Sequence, residues 1–203
     1  MLISSYNNKG MNDVLTVQLK QISVEEQIAE RKGNVTKISI KETGETAGYN
    51  FFDASSIIEV AENGPITLTE SQVSALNQQI EANGWKDTLT ADESPKFVVG
   101  FVKECTPMED SDHLNITQTE IDNNEVVQIV CGASNVEKGQ KVVVAKPGAV
   151  MPDGLVIWPG ELRGVKSSGM ICSAKELGME QTTKGILVLE DSEETGKPFT
   201  AQR

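Results

Sequence analysis

From Phe97 onward the sequence breaks into short apolar runs parted by turn-forming clusters, and this spacing constrains the fold more than any other feature. The runs are Phe97–Cys105, Leu114–Ile121, Val126–Cys131 and Lys141–Ala145, with a fifth expected within Leu155–Val165. Their separators, Pro107–Asp112, Asp122–Asn124, Gly132–Gly139 and Pro147–Gly154, are rich in Gly, Pro, Asn and Asp. Runs this short suit strands, and five twisted strands tend to curl until their edges meet. A small closed or nearly closed five-stranded barrel is therefore expected. Beyond it, Ser173-Ala-Lys-Glu176 has capping-box spacing with Gly178 as a stop, which predicts a short helix, and Ile186–Leu189 reads as a late strand.

The first half has a different texture. Leu2–Tyr6 and Val14–Lys20 read as strands around the turn-rich NNKGMND, with Leu15, Val17 and Leu19 alternating onto one face. Val35–Lys41 and Thr46–Phe52 form a hairpin pattern about Glu42–Glu45, and Asp53 is placed to cap a short helix carrying Ile57 and Ile58. Thr69-Glu-Ser-Gln72 is a capping box, followed by Val73, Leu76 and Ile80 at helical intervals and a stop at Asn83-Gly84. Val24–Arg31 is acidic and fits either a helical turn or a loop. The polar stretch from Asp87 to Pro95 marks a boundary. The expected architecture is a β-rich two-domain protein, with an α+β domain over residues 1–94 and a five-stranded β-barrel over 95–203.

At 203 residues each half can bury a core of its own. No apolar segment approaches membrane-spanning length, and MLISSYNNKG lacks a basic region leading into an apolar one, so a cytoplasmic protein with no membrane partner is expected. Cys105, Cys131 and Cys172 are odd in number and lack C-x-x-C spacing, which argues for reduced, buried thiols. One histidine, His113, and three scattered cysteines lack metal-ligand spacing, so no metal and no cofactor is expected. A Cys–His dyad lacks an orienting group and an oxyanion hole, and no catalytic residue is expected.

The formal net charge of −12 opposes binding of a polyanion by the whole chain. Charge is nevertheless uneven. Between Lys138 and Lys184 seven cations face four acids, and this basic island overlaps LRGVKSSGMICS. There Arg163 offers a planar fork for phosphate, Lys166 a point charge, Ser167 and Ser168 hydroxyls, and Met170 an adaptable apolar contact. Gly164 and Gly169 permit close backbone approach. Lys146 is placed to extend the cationic rim, and Asn115 offers a polar side chain on the second strand of the expected barrel.

The blocks SDHLNITQTEID, QIVCGASNVEKGQKVVVAKPGAVMPDG and ELRGVKSSGMICSAKELGM, in that order, resemble the tRNA-binding domain. That family is shared by phenylalanyl-tRNA synthetase β subunits, some methionyl-tRNA synthetases, stand-alone bacterial tRNA-binding proteins and an endothelial-monocyte-activating cytokine, and with a further domain placed before the module the whole chain resembles YtpR-type bacterial proteins. The resemblance implies an OB-fold five-stranded β-barrel, whose second-strand face, carrying Asn115, binds ligands, and tRNA as partner. It assigns tRNA contact to the serine opening S-x-G-M and to its methionine, here Ser167 and Met170, and implies a homodimer. Where many relatives carry a His-Pro-Asn-Ala-Asp-Lys-type loop, this chain has Met108-Glu-Asp-Ser-Asp-His113, with His113 in place of lysine and added acids. The altered loop and the net charge motivate an alternative, a protein-assembly module with weak or lost RNA affinity.

Overall fold

Alternating apolar residues over the first fifty positions build an antiparallel sheet. The computed structural model describes residues 1–109 and 111–201 and divides into two units, Met1–Ser94 and Pro95–Arg203. In the first unit β1 (Ile3–Asn7), β2 (Val14–Gln18), β3 (Gln27–Lys32), β4 (Val35–Ile40), β5 (Thr46–Phe52) and β6 (Gly64–Ile66) run in the spatial order β3-β4-β5-β2-β1-β6. Leu15 lies opposite Phe51 and Val17 opposite Tyr49, and all four are buried. The sheet's apolar face is covered by α1 (Glu70–Ala82), whose Val73, Leu76 and Ile80 enter the same cluster. The helix starts where its box closes: the Thr69 hydroxyl accepts the Gln72 N–H at 3.3 Å and the Gln72 side-chain Oε1 accepts the Thr69 N–H at 3.0 Å. Truncating Leu76 to alanine in this stripe would cost about 2–5 kcal/mol, since nothing else fills its place.

Two local expectations are corrected here. Val24–Glu26 is one 3-10 turn, and Gln27–Lys32 then forms an edge strand paired with β4. Its side chains are nearly all exposed, so no alternation announced it. Asp53 caps nothing through its side chain; it sits at φ 53°, and only a single 3-10 turn, Ala54–Ser56, follows.

In the second unit β7 (Phe97–Pro107), β8 (Asn115–Glu120), β9 (Val126–Cys131), β10 (Lys141–Ala145), β11 (Gly160–Leu162), β12 (Val165–Ser167), β13 (Met170–Ile171) and β14 (Val188–Leu189) follow in chain order. The barrel wall has the order β13-β10-β7-β8-β9, with β14 also pairing β10. Strand β7 is long because its first part pairs β10 and its second part β8. Val98, Val102, Ile129, Val142, Val144 and Ile171 fill the interior. On the other side of β10, Val143 and Ala145 pack with Ala149, Met151, Ile157 and Cys172. Burial on both faces explains the unbroken run Val142-Val-Val-Ala145.

The wall is a nearly closed five-strand barrel, but its fifth strand is not in Leu155–Val165. That region makes a separate two-stranded hairpin, β11–β12, with Leu155 and Leu162 exposed, and β13 takes the fifth place. The capping box at Ser173 forms, with the Ser173 N–H donating to Glu176 at 2.7 Å and the Glu176 N–H donating to the Ser173 hydroxyl at 3.2 Å. It closes a turn rather than a helix, because the chain reverses at Gly178.

Candidate nucleic-acid interface

The β11–β12 hairpin pairs Gly160 with Ser167, Glu161 with Lys166 and Leu162 with Val165, which leaves a two-residue turn at Arg163-Gly164. Both turn residues have positive φ, 49° and 78°, the geometry that suits the twist of a tight hairpin. Glycine adopts it freely, whereas an arginine there stores about 1 kcal/mol of backbone strain. Arg163 is thereby carried at an exposed tip, with exposed Lys166 on the returning arm.

The returning arm is fastened to β9, the end strand of the wall. The Ser168 N–H donates to the Gln128 carbonyl at 2.8 Å, and the Ser167 hydroxyl accepts the Val130 N–H at 3.1 Å. Gln128 also donates through its side-chain amide to the Lys166 carbonyl at 2.8 Å, and itself accepts from Gln118 at 3.0 Å. Gly169 lets the chain cross to the far edge: at φ 122°, a Cβ there would lie 2.9 Å from the Ala145 carbonyl oxygen. The motif is thus the strap that bridges β9 and β13, the two ends of the wall.

The remaining predicted residues fall in different places. Ser167 is buried and spends its hydroxyl on the strap, whereas Ser168 is half-buried on the same arm. Met170 is half-buried against the cluster containing Ala145 and Cys172. Asn115 shares the side of β8 with buried Thr117 and Thr119, opposite the outward series Ile116, Gln118 and Glu120. Lys146 is not an open cation on the rim. Its ammonium donates to both Asp122 oxygens at 2.9 and 2.8 Å, and the two side chains are only 12% and 15% exposed. Lys141 is likewise turned inward, donating to Thr195 and lying over the Phe101 ring. The structure therefore joins Arg163, Lys166, Ser167 and Ser168 on one strap and sets Lys146 apart.

Gln118 and Gln128 were missed by sequence reading. A signal existed, since buried Thr117 and Thr119 in Asn115–Glu120 alternate with outward Gln118; the bond to Lys166 is a long-range contact no local pattern encodes.

The altered loop lies near the hairpin tip. Asp112 contacts His113 at 2.6 Å, and its carboxyl is held below the usual range, first by that hydrogen bond and to a lesser degree by the charge of Arg163. Asp110, another of the loop's acids, lies outside the described residues. The thiols are poor nucleophiles. Burial pushes all three upward, Cys172 to about 12. Among the described residues no group of three or more His, Cys, Asp or Glu could hold a metal, and no helix is long and apolar enough to cross a membrane.

Comparison with known proteins adds to this geometry. Residues 97–198 match the family described as "Putative tRNA binding domain", and residues 22–92 match "Domain of unknown function (DUF4479)". The chain is 50% identical over 196 residues to the "Putative tRNA-binding protein YtpR" of Bacillus subtilis, covering 96% of this chain and 97% of that protein. It is 47% identical over 135 residues to the phenylalanine–tRNA ligase beta subunit of Oceanobacillus iheyensis, which covers 64% of this chain but 16% of the subunit. The corresponding subunit of Campylobacter jejuni is 49% identical over 117 residues, 56% of this chain and 15% of the subunit.

Proposed function

Because the chain belongs to the tRNA-binding domain family, we propose that it is a non-catalytic binder of folded tRNA that grips backbone and shape through the strap and the adjoining barrel face. The observation that carries this reading is the fastening of the basic hairpin to β9 by Ser167, Ser168 and Gln128, which fixes the two exposed cations beside the outward side of β8–β9. Arg163 supplies a planar fork and Lys166 a point charge to phosphates, Ser168 a hydroxyl and Met170 a contact at the margin, whereas Asn115, on the inward side of β8, supplies none. Ser167 acts by holding the strap. Lys146 acts by bracing the barrel through Asp122 rather than by meeting RNA.

The similarity to the synthetase subunits is confined to a small share of their length, and it carries binding rather than aminoacylation to this chain. Residues 95–203 form the tRNA-binding domain, and residues 1–94 a second, α+β domain. The protein works in the cytoplasm as a homodimer, in which two modest sites share one folded RNA. Light scattering of the purified chain checks the dimer.

Mobility shift across salt, with tRNA, duplex RNA and single-stranded DNA as probes, tests the function. The expected result is salt-dependent binding with tRNA preferred over both others. Equal binding to all three polyanions, or a protein partner captured after nuclease treatment while no tRNA co-purifies, would favour the assembly alternative.

A further inference from the structure

The barrel wall does not close completely beside the strap. Between the last residues of β9 and β13 lies an open cleft of about 450 Å³, within the size range of small-ligand sites. Val130, Ala133 and Ile186 give it apolar walls, and Ser173, Glu176 and Gln181 line its polar side. The polar side is rich in acceptors. Glu176 Oε2 is occupied by the N–H and hydroxyl of Ser173, while no donor among the described residues reaches Oε1. The Gln181 amide spends its Nε2 on the carbonyls of Thr183 and Gly185, while no donor among the described residues reaches its oxygen.

An acceptor-lined cleft with a carboxylate repels phosphate and suits a flat group with N–H donors on its edge. It also adjoins the strap that carries the cations, since Val130 on its wall is the residue whose N–H holds Ser167. We propose that this cleft receives one unpaired nucleobase of the bound RNA, with the phosphates held by Arg163 and Lys166 and the base edge read by Glu176 and Gln181. The inference rests on the RNA-binding reading above and adds a base preference to it. Cytosine, adenine and guanine each present an amino group to a carboxylate, whereas uracil presents a single N–H between two carbonyls that Glu176 and Gln181 would repel.

The test uses the full chain and four RNA hairpins with identical stems, each carrying one unpaired nucleotide, A, C, G or U, in competition binding at fixed salt. The best of the A, C and G hairpins is expected to bind about 10-fold more tightly than the U hairpin. Glu176→Gln keeps an oxygen for the Ser173 box but adds a donor, and is expected to shrink that ratio to about twofold or less, with thermal melting confirming the fold. Equal affinity of the unmodified chain for all four hairpins, alongside normal tRNA binding, would overturn the cleft assignment alone. Undiminished discrimination in Glu176→Gln would do the same. Failure to bind any RNA would overturn the RNA reading and this inference together.

Discussion

The Ser167 hydroxyl accepts the backbone N–H of Val130 at 3.1 Å, joining two segments 37 residues apart in the chain. A serine that a motif reading would hand to the ligand is instead buried, and it satisfies an edge N–H that β8 cannot reach. Its consequence is mechanical: the exposed cations stand on a strap whose position depends on this bond.

Ser167→Ala should therefore cost about 1–3 kcal/mol in urea unfolding, because the Val130 N–H is left without its acceptor. Ser168→Ala should stay within about 0.5 kcal/mol, since Ser168 holds β9 with its backbone N–H. Equal effects of the two substitutions would remove the distinction between positioning and contacting serines.

Arg163→Asn should lower tRNA affinity, because the fork for phosphate is lost while the turn keeps a residue that tolerates positive φ. Mobility shift on a sample that still melts cooperatively checks it. Undiminished affinity would contradict the role of the fork.

Lys146→Met should cost about 3 kcal/mol by leaving Asp122 buried without its partner, and pairing it with Asp122→Leu should recover much of that loss. The salt dependence of RNA binding should not change in the double variant. A reduced slope would return Lys146 to the rim.

In the first unit Asp87 accepts from Lys37 at 2.7 Å, Thr46 at 2.7 Å and Tyr49 at 2.6 Å. Burial alone would raise its carboxyl, but the hydrogen bonds from Lys37, Tyr49 and Thr46 and the Lys37 charge overcome this and hold it at about 2. A depressed carboxylate stabilises the fold above its unfolded value near 4, and that contribution is lost as pH falls through about 2. The upper limit is roughly 2 kcal/mol, reduced because the side chain is 31% exposed. Asp87→Asn should flatten the stability profile between pH 4 and 2, which urea titration at stepped pH reads directly.

Local chemistry made much of this fold legible. The Thr69–Gln72 box and the stripe Val73, Leu76 and Ile80 announced α1, and Val126–Cys131 and Lys141–Ala145 announced their strands to the residue. Strand β3 was hidden because an exposed edge strand, Gln27–Lys32, has no inward face to alternate with. The fifth wall strand was misplaced because Leu155 and Leu162 are apolar without being buried, so composition pointed to a wall they do not join. At the candidate site, residue types singled out Arg163 and Lys166, and the fold sets both on one exposed hairpin. The pairing of Lys146 with Asp122, the fastening of Ser167 to Val130 and the relay from Gln118 through Gln128 to Lys166 are long-range, and no periodicity carries them.

The most direct measurement is the salt slope of tRNA binding for the unmodified chain and for Arg163→Glu with Lys166→Glu. If the strap holds phosphates, log affinity falls linearly with log salt concentration, and the double reversal both weakens binding at least about 10-fold and lowers the slope by about 2, while thermal melting stays cooperative. An unchanged affinity and slope in a folded double variant would contradict the strap as the RNA-binding element.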